Sequence, residues 1–342
     1  MALPATGYDL ATISNPSSAL TDFTLVVDLS RMSSSWWADV NTSDGTRGRA
    51  AKSDGTELAC DWIDFDDTAE TGILRVLWSG TLAATGTQQI RIYPPNTRND
   101  AVAADGTYGS DNAYDSYWWG YYPDGGGSDR TANGRSMTAS GSPTVGGIAG
   151  KIGMATDYNG TSQYSYYSGT PSGYPLIMMC WHRPGALQSK APVCIGGSTN
   201  IIRLYQVNAA IDCRCVSAAD TIYSVISTDV WHHFAGRITS SEVEVYSNGS
   251  GSGSPASHST LYPSNTIISI GAQNYNGVYA YYDGSISETQ IHITERADEW
   301  ISYEYDQTSD NTTFWGTWVW QSPSGATILP QIVHHMKQQG IM

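Results

Sequence analysis

Phenylalanine is nearly missing from this chain of 342 residues: four residues, against 22 tyrosines and 12 tryptophans. Almost every ring therefore carries a polar handle, which suits wet interfaces and sugar faces, although most such rings in a β-rich chain fill or edge a core. Positive charge is also scarce. Lys and Arg number 17 against 32 Asp and Glu, a formal net charge of −15. A chain with no basic face cannot displace the counterions of a phosphate backbone, which argues against nucleic acid as a partner. No apolar run approaches the roughly 20 residues of a membrane span. The opening MALPATGYDLATISNP has no cationic start and no continuous apolar stretch, so neither an export signal nor an anchor is expected there. Cys60, Cys180, Cys194, Cys213 and Cys215 are odd in number and lack C-x-x-C spacing. That disfavours a disulfide framework and a zinc site and leaves buried free thiols, as in a reducing compartment.

Catalytic patterns are missing too. There is no G-x-S-x-G elbow and no phosphate loop. Glycoside hydrolysis needs two carboxylates flanking one bond, and no strand carries a Glu-x-Asp-x-x-Glu arrangement. Glu242 and Glu244 share a strand face that reads as the solvent side of Ser241-Glu242-Val243-Glu244-Val245. His232 and His233 read as packed residues behind Trp231. The expectation is that the protein is not an enzyme.

What is present is β-structure throughout. Residues 21–29, 57–65, 72–78 and 88–93 are β-branched or alternating segments separated by turns such as Ser53-Asp54-Gly55-Thr56, the even spacing of a β-sandwich. Further on, Gly147, Gly150, Gly153 and Gly160 exclude helix and punctuate short strands. The continuous apolar segment 175–182 reads as a strand buried on both faces, with Trp181, like Trp231 later, expected in the core. At 295–306 the pattern changes: Ala297, Trp300, Ile301 and Tyr305 recur at helical spacing, with Thr294 a plausible N-cap, and the segment is expected to pack as a lid on the sandwich.

Several motifs in the second half are similar to laminin-G/concanavalin A-like domains. They are Asp129-Arg130-Thr131-Ala132-Asn133-Gly134, Gly150-Lys151-Ile152-Gly153-Met154-Ala155, Tyr158-Asn159-Gly160, Trp231-His232-His233-Phe234-Ala235 and Val245-Tyr246-Ser247-Asn248-Gly249. The first half, with its Ser-Asp-Gly-Thr turn and Ile90-Arg91-Ile92-Tyr93-Pro94-Pro95-Asn96 strand, resembles a bacterial and phage domain of unassigned function that commonly precedes a laminin-G-like domain. The resemblance implies an all-β fold of two β-sandwich domains with a short helix near the end. Its parts would be 1–112, an aromatic and Gly-rich junction at 113–128, the lectin-like domain at 129–315, and an extension at 316–342.

The junction holds Tyr114, Tyr117, Trp118, Trp119, Tyr121 and Tyr122. Strand alternation cannot turn all six to one core, so some must meet the neighbouring domain, solvent or a ligand. The domain interface is the preferred reading, and Tyr117, Trp118, Trp119 and Tyr121 are the glycan-binding candidates. Calcium would find its candidate ligands in Asp64, Asp66 and Asp67, within an acidic run (Asp61 to Glu70) that lacks calcium-loop spacing. In the tail, Ile328, Leu329, Ile332, Val333 and Met336 form a one-sided helical stripe with Pro330 in the first turn, expected to anchor the chain to an assembly. Together with the resemblance, these features imply a non-enzymatic tailed-bacteriophage virion protein, assembled in the host cytoplasm, decorating the capsid or associated with the tail. Its partners would be other virion proteins, further copies of itself and cell-surface glycans. The alternative is a carbohydrate-binding or adhesion module of a bacterial surface protein.

Overall fold

The structure is a computed structural model and describes residues 3–4, 6–196, 201–215, 218–222, 225–259, 267–274 and 277–323. The anchor stripe at 328–336 lies outside the described residues.

Strands form where the sequence alternates. In the first lobe they are β1 (Tyr8–Ile13), β2 (Leu20–Asp28), β3 (Arg49–Lys52), β4 (Glu57–Leu58), β5 (Cys60–Asp66), β6 (Thr71–Leu82) and β7 (Gln88–Tyr93). A short helix, α1 (Ser34–Asp39), is capped by the Ser33 hydroxyl. The order β1-β7-β3-β4 makes one sheet and β2-β6-β5 the other. Ala11, Ile90, Ile92 and Leu58 from the first meet Leu25, Val27, Leu74 and Val76 from the second in one buried core.

β8 (Trp118–Tyr122) leads into the second lobe. There β9 (Thr138–Ser140), β10 (Ile148–Ala149), β11 (Met154–Asn159), β12 (Tyr164–Ser168), β13 (Leu176–Pro184), β14 (Lys190–Gly196), β15 (Ile202–Val207), β16 (Ala210–Cys215) and β17 (Ala218–Ile222) precede β18 (His232–Ile238) and β19 (Glu242–Ser247). The short β20 (Ser250–Gly251) and β21 (Ala256–Ser257) follow, then β22 (Ile267–Ile270), β23 (Gln273–Asn274), β24 (Val278–Tyr279) and the long β25 (Asp283–His292). Two antiparallel sheets result. One runs β10-β11-β25-β13-β18-β19-β20, with β8 paired to β25, and the other runs β17-β16-β15-β14-β22-β12-β9. Met178, Cys180, Phe234 and Val245 of the first face Val193, Leu204, Cys213 and Ile270 of the second. All five cysteines are buried free thiols.

The chain then returns to its first lobe. α2 (Asp298–Ser309) and α3 (Asn311–Phe314) lie against β2, and β26 (Val319–Gln321) pairs with β1. The helix is therefore more than a lid: it sits between the lobes, with Trp300, Ile301 and Tyr303 in the first-lobe core. It also closes the open edge of β2. Gln307 accepts from the Val26 N–H and donates to the Thr24 carbonyl, while Asn311 accepts from the Asp28 N–H and donates to the Val26 carbonyl. Two amides four residues apart thus replace a neighbouring strand, which satisfies backbone groups that would otherwise invite pairing with another chain. The helix starts three residues later than its spacing suggests. Ala297, in extended conformation, is the N-cap residue in place of Thr294, and the preceding Arg296 pairs with Asp115 at 2.7 Å.

Trp181 is 3% exposed, with its indole N–H donating to Thr308 and its ring stacked on Tyr305. Trp231 is not a core residue. The strand begins one residue after it, so Trp231 stays half-buried in the preceding turn with the Arg183 guanidinium over its ring. Truncating a buried tryptophan costs about 3–5 kcal/mol, whereas a partly exposed ring costs far less. Thermal melts should therefore separate the two: Trp181→Ala falls sharply, and Trp231→Ala stays within about 1 kcal/mol of the parent.

Candidate functional site

The aromatic junction is buried where the lobes meet. β8 pairs with β25 through a register shift between Ile291 and His292. That irregularity breaks simple alternation, so Trp118 and Tyr121 enter the first-lobe core while Trp119 and Tyr122 enter the second. Of the four glycan-binding candidates, Trp118, Trp119 and Tyr121 are therefore enclosed, and Tyr117, 49% exposed, alone reaches solvent. They do not form a platform. The interface reading of this segment is the one the packing supports.

The same junction holds two buried carboxylates in ion pairs. Arg75 of β6, fully buried, forms ion pairs with Glu288 of β25 and with Glu304 of α2, the latter at 3.0 Å. The Tyr121 hydroxyl donates to Glu288 at 2.8 Å and accepts from Arg75 Nε at 3.0 Å. Burial pushes the Glu288 carboxyl up; it also works against the Arg75 charge, but Tyr121, Glu304 and Glu288 outweigh it and hold the guanidinium ionised. Glu244 is likewise buried, contrary to its expected solvent position. It faces α2, accepting from Arg237 and from the Tyr246 hydroxyl at 2.8 Å. His232 and His233 are buried and packed.

An open cleft of about 260 Å³ beside the junction is lined by Gly48, Asp61, Trp62, Phe65, Tyr108 and Arg130. Its charges are already paired: Asp61 accepts from Arg130 Nε at 3.0 Å and from the Tyr114 hydroxyl at 2.7 Å. Among the described residues, no three His, Cys, Asp or Glu side chains gather as a metal site. Asp64, Asp66 and Asp67 do not converge. The Asp66 carboxylate instead caps its own turn, accepting from the Thr68 and Ala69 N–H groups.

A further cluster of arginine and tyrosine side chains lies on the outer face of the seven-stranded sheet. Ile202-Arg203-Leu204-Tyr205 and Ile211-Asp212-Cys213-Arg214 alternate strictly, apolar residues inward and polar ones outward. Arg203 and Arg214 are directly opposite across β15 and β16, and Tyr205 opposes Asp212. Both guanidinium groups approach the Tyr205 ring, at 4.1 and 5.1 Å from its centroid. Arg214 donates twice to one oxygen of Asp212, at 2.6 and 2.8 Å. Arg203 donates to Gln273, which in turn donates to the hydroxyl of Tyr279, 43% exposed. Towards the other edge, Tyr164 packs near Tyr166 and Tyr281, all half-buried. None of these residues stood out among the sequence candidates. The signal was present in the period-2 placement of Arg and Tyr between inward apolar residues.

Residues 173–302 match a family described as the concanavalin A-like lectin/glucanases superfamily. A search of curated proteins gave no match. Among solved structures, the receptor-binding domain of a botulinum neurotoxin C/D mosaic serotype is 11% identical with a TM-score of 0.44, covering 56% of this chain and 51% of that one. The binding domain of botulinum neurotoxin serotype D is 10% identical with a TM-score of 0.43, covering 56% and 50%. This chain thus spans about half the length of those toxin domains. Domain 4 of AbnA, an extracellular arabinanase from Geobacillus stearothermophilus solved with arabinotriose, is 20% identical with a TM-score of 0.43, covering 54% and 97%. The family match and the two facing antiparallel sheets agree: the second lobe contains, at residues 173–302, a laminin-G/concanavalin A-like lectin/glucanase domain match.

Proposed function

We propose that the protein is a non-enzymatic, glycan-recognising structural protein, its lectin-like lobe presented by the first lobe. The observation that carries this is the outer sheet face, where tyrosines, two arginines and an amide stand together without a neighbouring carboxylate pair able to act as acid and nucleophile. Tyrosine rings offer apolar faces to sugars and guanidinium groups donate to hydroxyl or carboxylate oxygens. The name of the family covers binders and hydrolases alike, and fold alone does not choose between them. Burial of Glu288, Glu304 and Glu244 in ion pairs favours binding.

The carrier we infer is the virion of a tailed bacteriophage, with the lobes projecting outward. This rests on the sequence similarity of the two-part organisation and on the free cysteines. The test uses the full chain. Labelled protein should bind members of a glycan array, and incubation with the same glycans should release no reducing ends. Mass spectrometry of purified particles should find the chain among their components. Turnover that disappears in Glu288→Gln would overturn the non-enzymatic reading, and an array with no bound glycan would overturn the recognition reading.

A further inference from the structure

We propose that the outer face around Arg203 takes the carboxylate of an acidic sugar, such as a uronic or sialic acid, carried on a short glycan. This rests on the glycan-recognition reading and narrows it to a ligand class. Two like charges directly opposite on neighbouring strands destabilise a sheet, yet Arg203 and Arg214 occupy such a pair. Asp212 forms its ion pair with Arg214, although its charge also attracts Arg203. Asp212 engages Arg214 through two hydrogen bonds to one oxygen. Among the described residues Arg203 has no ion pair, its charged end meeting the neutral oxygen of Gln273.

The surroundings are built and partly dry. The Nε of Arg203 is buried without a hydrogen-bond partner in the structure. Buried polar atoms left so call for a further partner, a water or a ligand atom. A planar guanidinium with spare donors is suited to a carboxylate, which it binds through parallel N–H bonds. Tyr279, tied to Gln273 and exposed on the same side, gives a sugar ring an apolar surface to lie against. The net charge of −15 repels extended polyanions. A short glycan with one or a few carboxylates is the better fit.

The experiment titrates the full chain with trigalacturonate and sialyllactose, each against its methyl ester, with inorganic sulfate as competitor. At least one acid form should bind, and esterification or Arg203→Gln should each weaken it by about 10- to 100-fold, the worth of a charge-assisted hydrogen bond. Arg203→Lys should fall between. Arg203→Gln removes the repulsion by Arg214 together with the contacts to Tyr205 and Gln273, so its melting temperature should stay near that of the parent, which separates lost binding from lost folding. Equal binding of acid and ester, or binding untouched by Arg203→Gln, would overturn the carboxylate site while leaving glycan recognition standing. Displacement by equimolar sulfate would reduce it to a general oxoanion site and overturn the sugar assignment. Failure of every glycan on the array would remove the broader reading as well.

Discussion

Replacing Arg75 by methionine is expected to destabilise the protein by about 3–5 kcal/mol, the cost of breaking a buried ion pair from one side. The reason lies in what the change strands. Arg75 is fully buried and reaches from β6 of the first lobe to Glu288 on β25 of the second and Glu304 on the intervening helix. Without it, two carboxylates would share a closed site with no counter-charge. Glu304 would keep hydrogen bonds from Gln290, at 2.6 Å, and Gln307, and Glu288 would keep the Tyr121 hydroxyl. Those neutral donors do not replace a charge. Protonation of at least one carboxylate would follow, so the variant should recover part of its stability as pH falls towards the carboxylate range. The triple change Arg75→Met, Glu288→Gln, Glu304→Gln should recover more, since no charge then remains to be compensated. Denaturant unfolding of the three proteins measures this. A single variant as stable as the parent would mean that the lobes are held by their apolar contacts alone.

How much of this was legible in the sequence depends on the range of the interaction. Local alternation and turn glycines were enough to place most strands, because side-chain period and turn chemistry act over a few residues. The junction aromatics could be assigned to an interface because six rings in nine residues exceed what one strand face can bury. Interactions across the chain were not legible. Nothing near Arg75 announces partners 213 and 229 residues away. Nothing local marks Gln307 and Asn311 either, yet their amides complete the edge of β2. Trp231 was misread for a related reason: a motif match fixes the strand but not the residue at which its pairing begins. The outer sheet face was missed because alternation shows which residues point outward, while the hairpin that brings Gln273 and Tyr279 to Arg203 is a tertiary event.

Acidification supplies the second large effect. His182 and His233 are fully enclosed, and burial holds both imidazoles down to about 3, with His232 and His233 adding to the effect at His182. His292 is displaced in the same direction, by burial first and then by Arg296 and Arg75. His182 bonds the Tyr282 hydroxyl at 2.8 Å, and His233 packs against the rings of both Trp181 and Tyr305. In the unfolded chain each would titrate near 6.5. The folded pKa values are therefore depressed, so their contribution is complete above about 6.5 and is lost as pH falls towards 3, because only the unfolded chain takes up the protons. Each such histidine removes about 1.4 kcal/mol per pH unit in that window. Buried carboxylates raised by desolvation, among them Asp9, Asp212 and Glu288, oppose this as they protonate. The net slope of the parent therefore mixes both signs, and a difference measurement isolates the histidine. Between pH 6.5 and 5, the stability of His233→Gln should fall less steeply than that of the parent by about 1.1 kcal/mol per pH unit, whatever its absolute stability. Parallel slopes in urea unfolding across that range would show that His233 is protonated within the folded protein and that its pocket admits water.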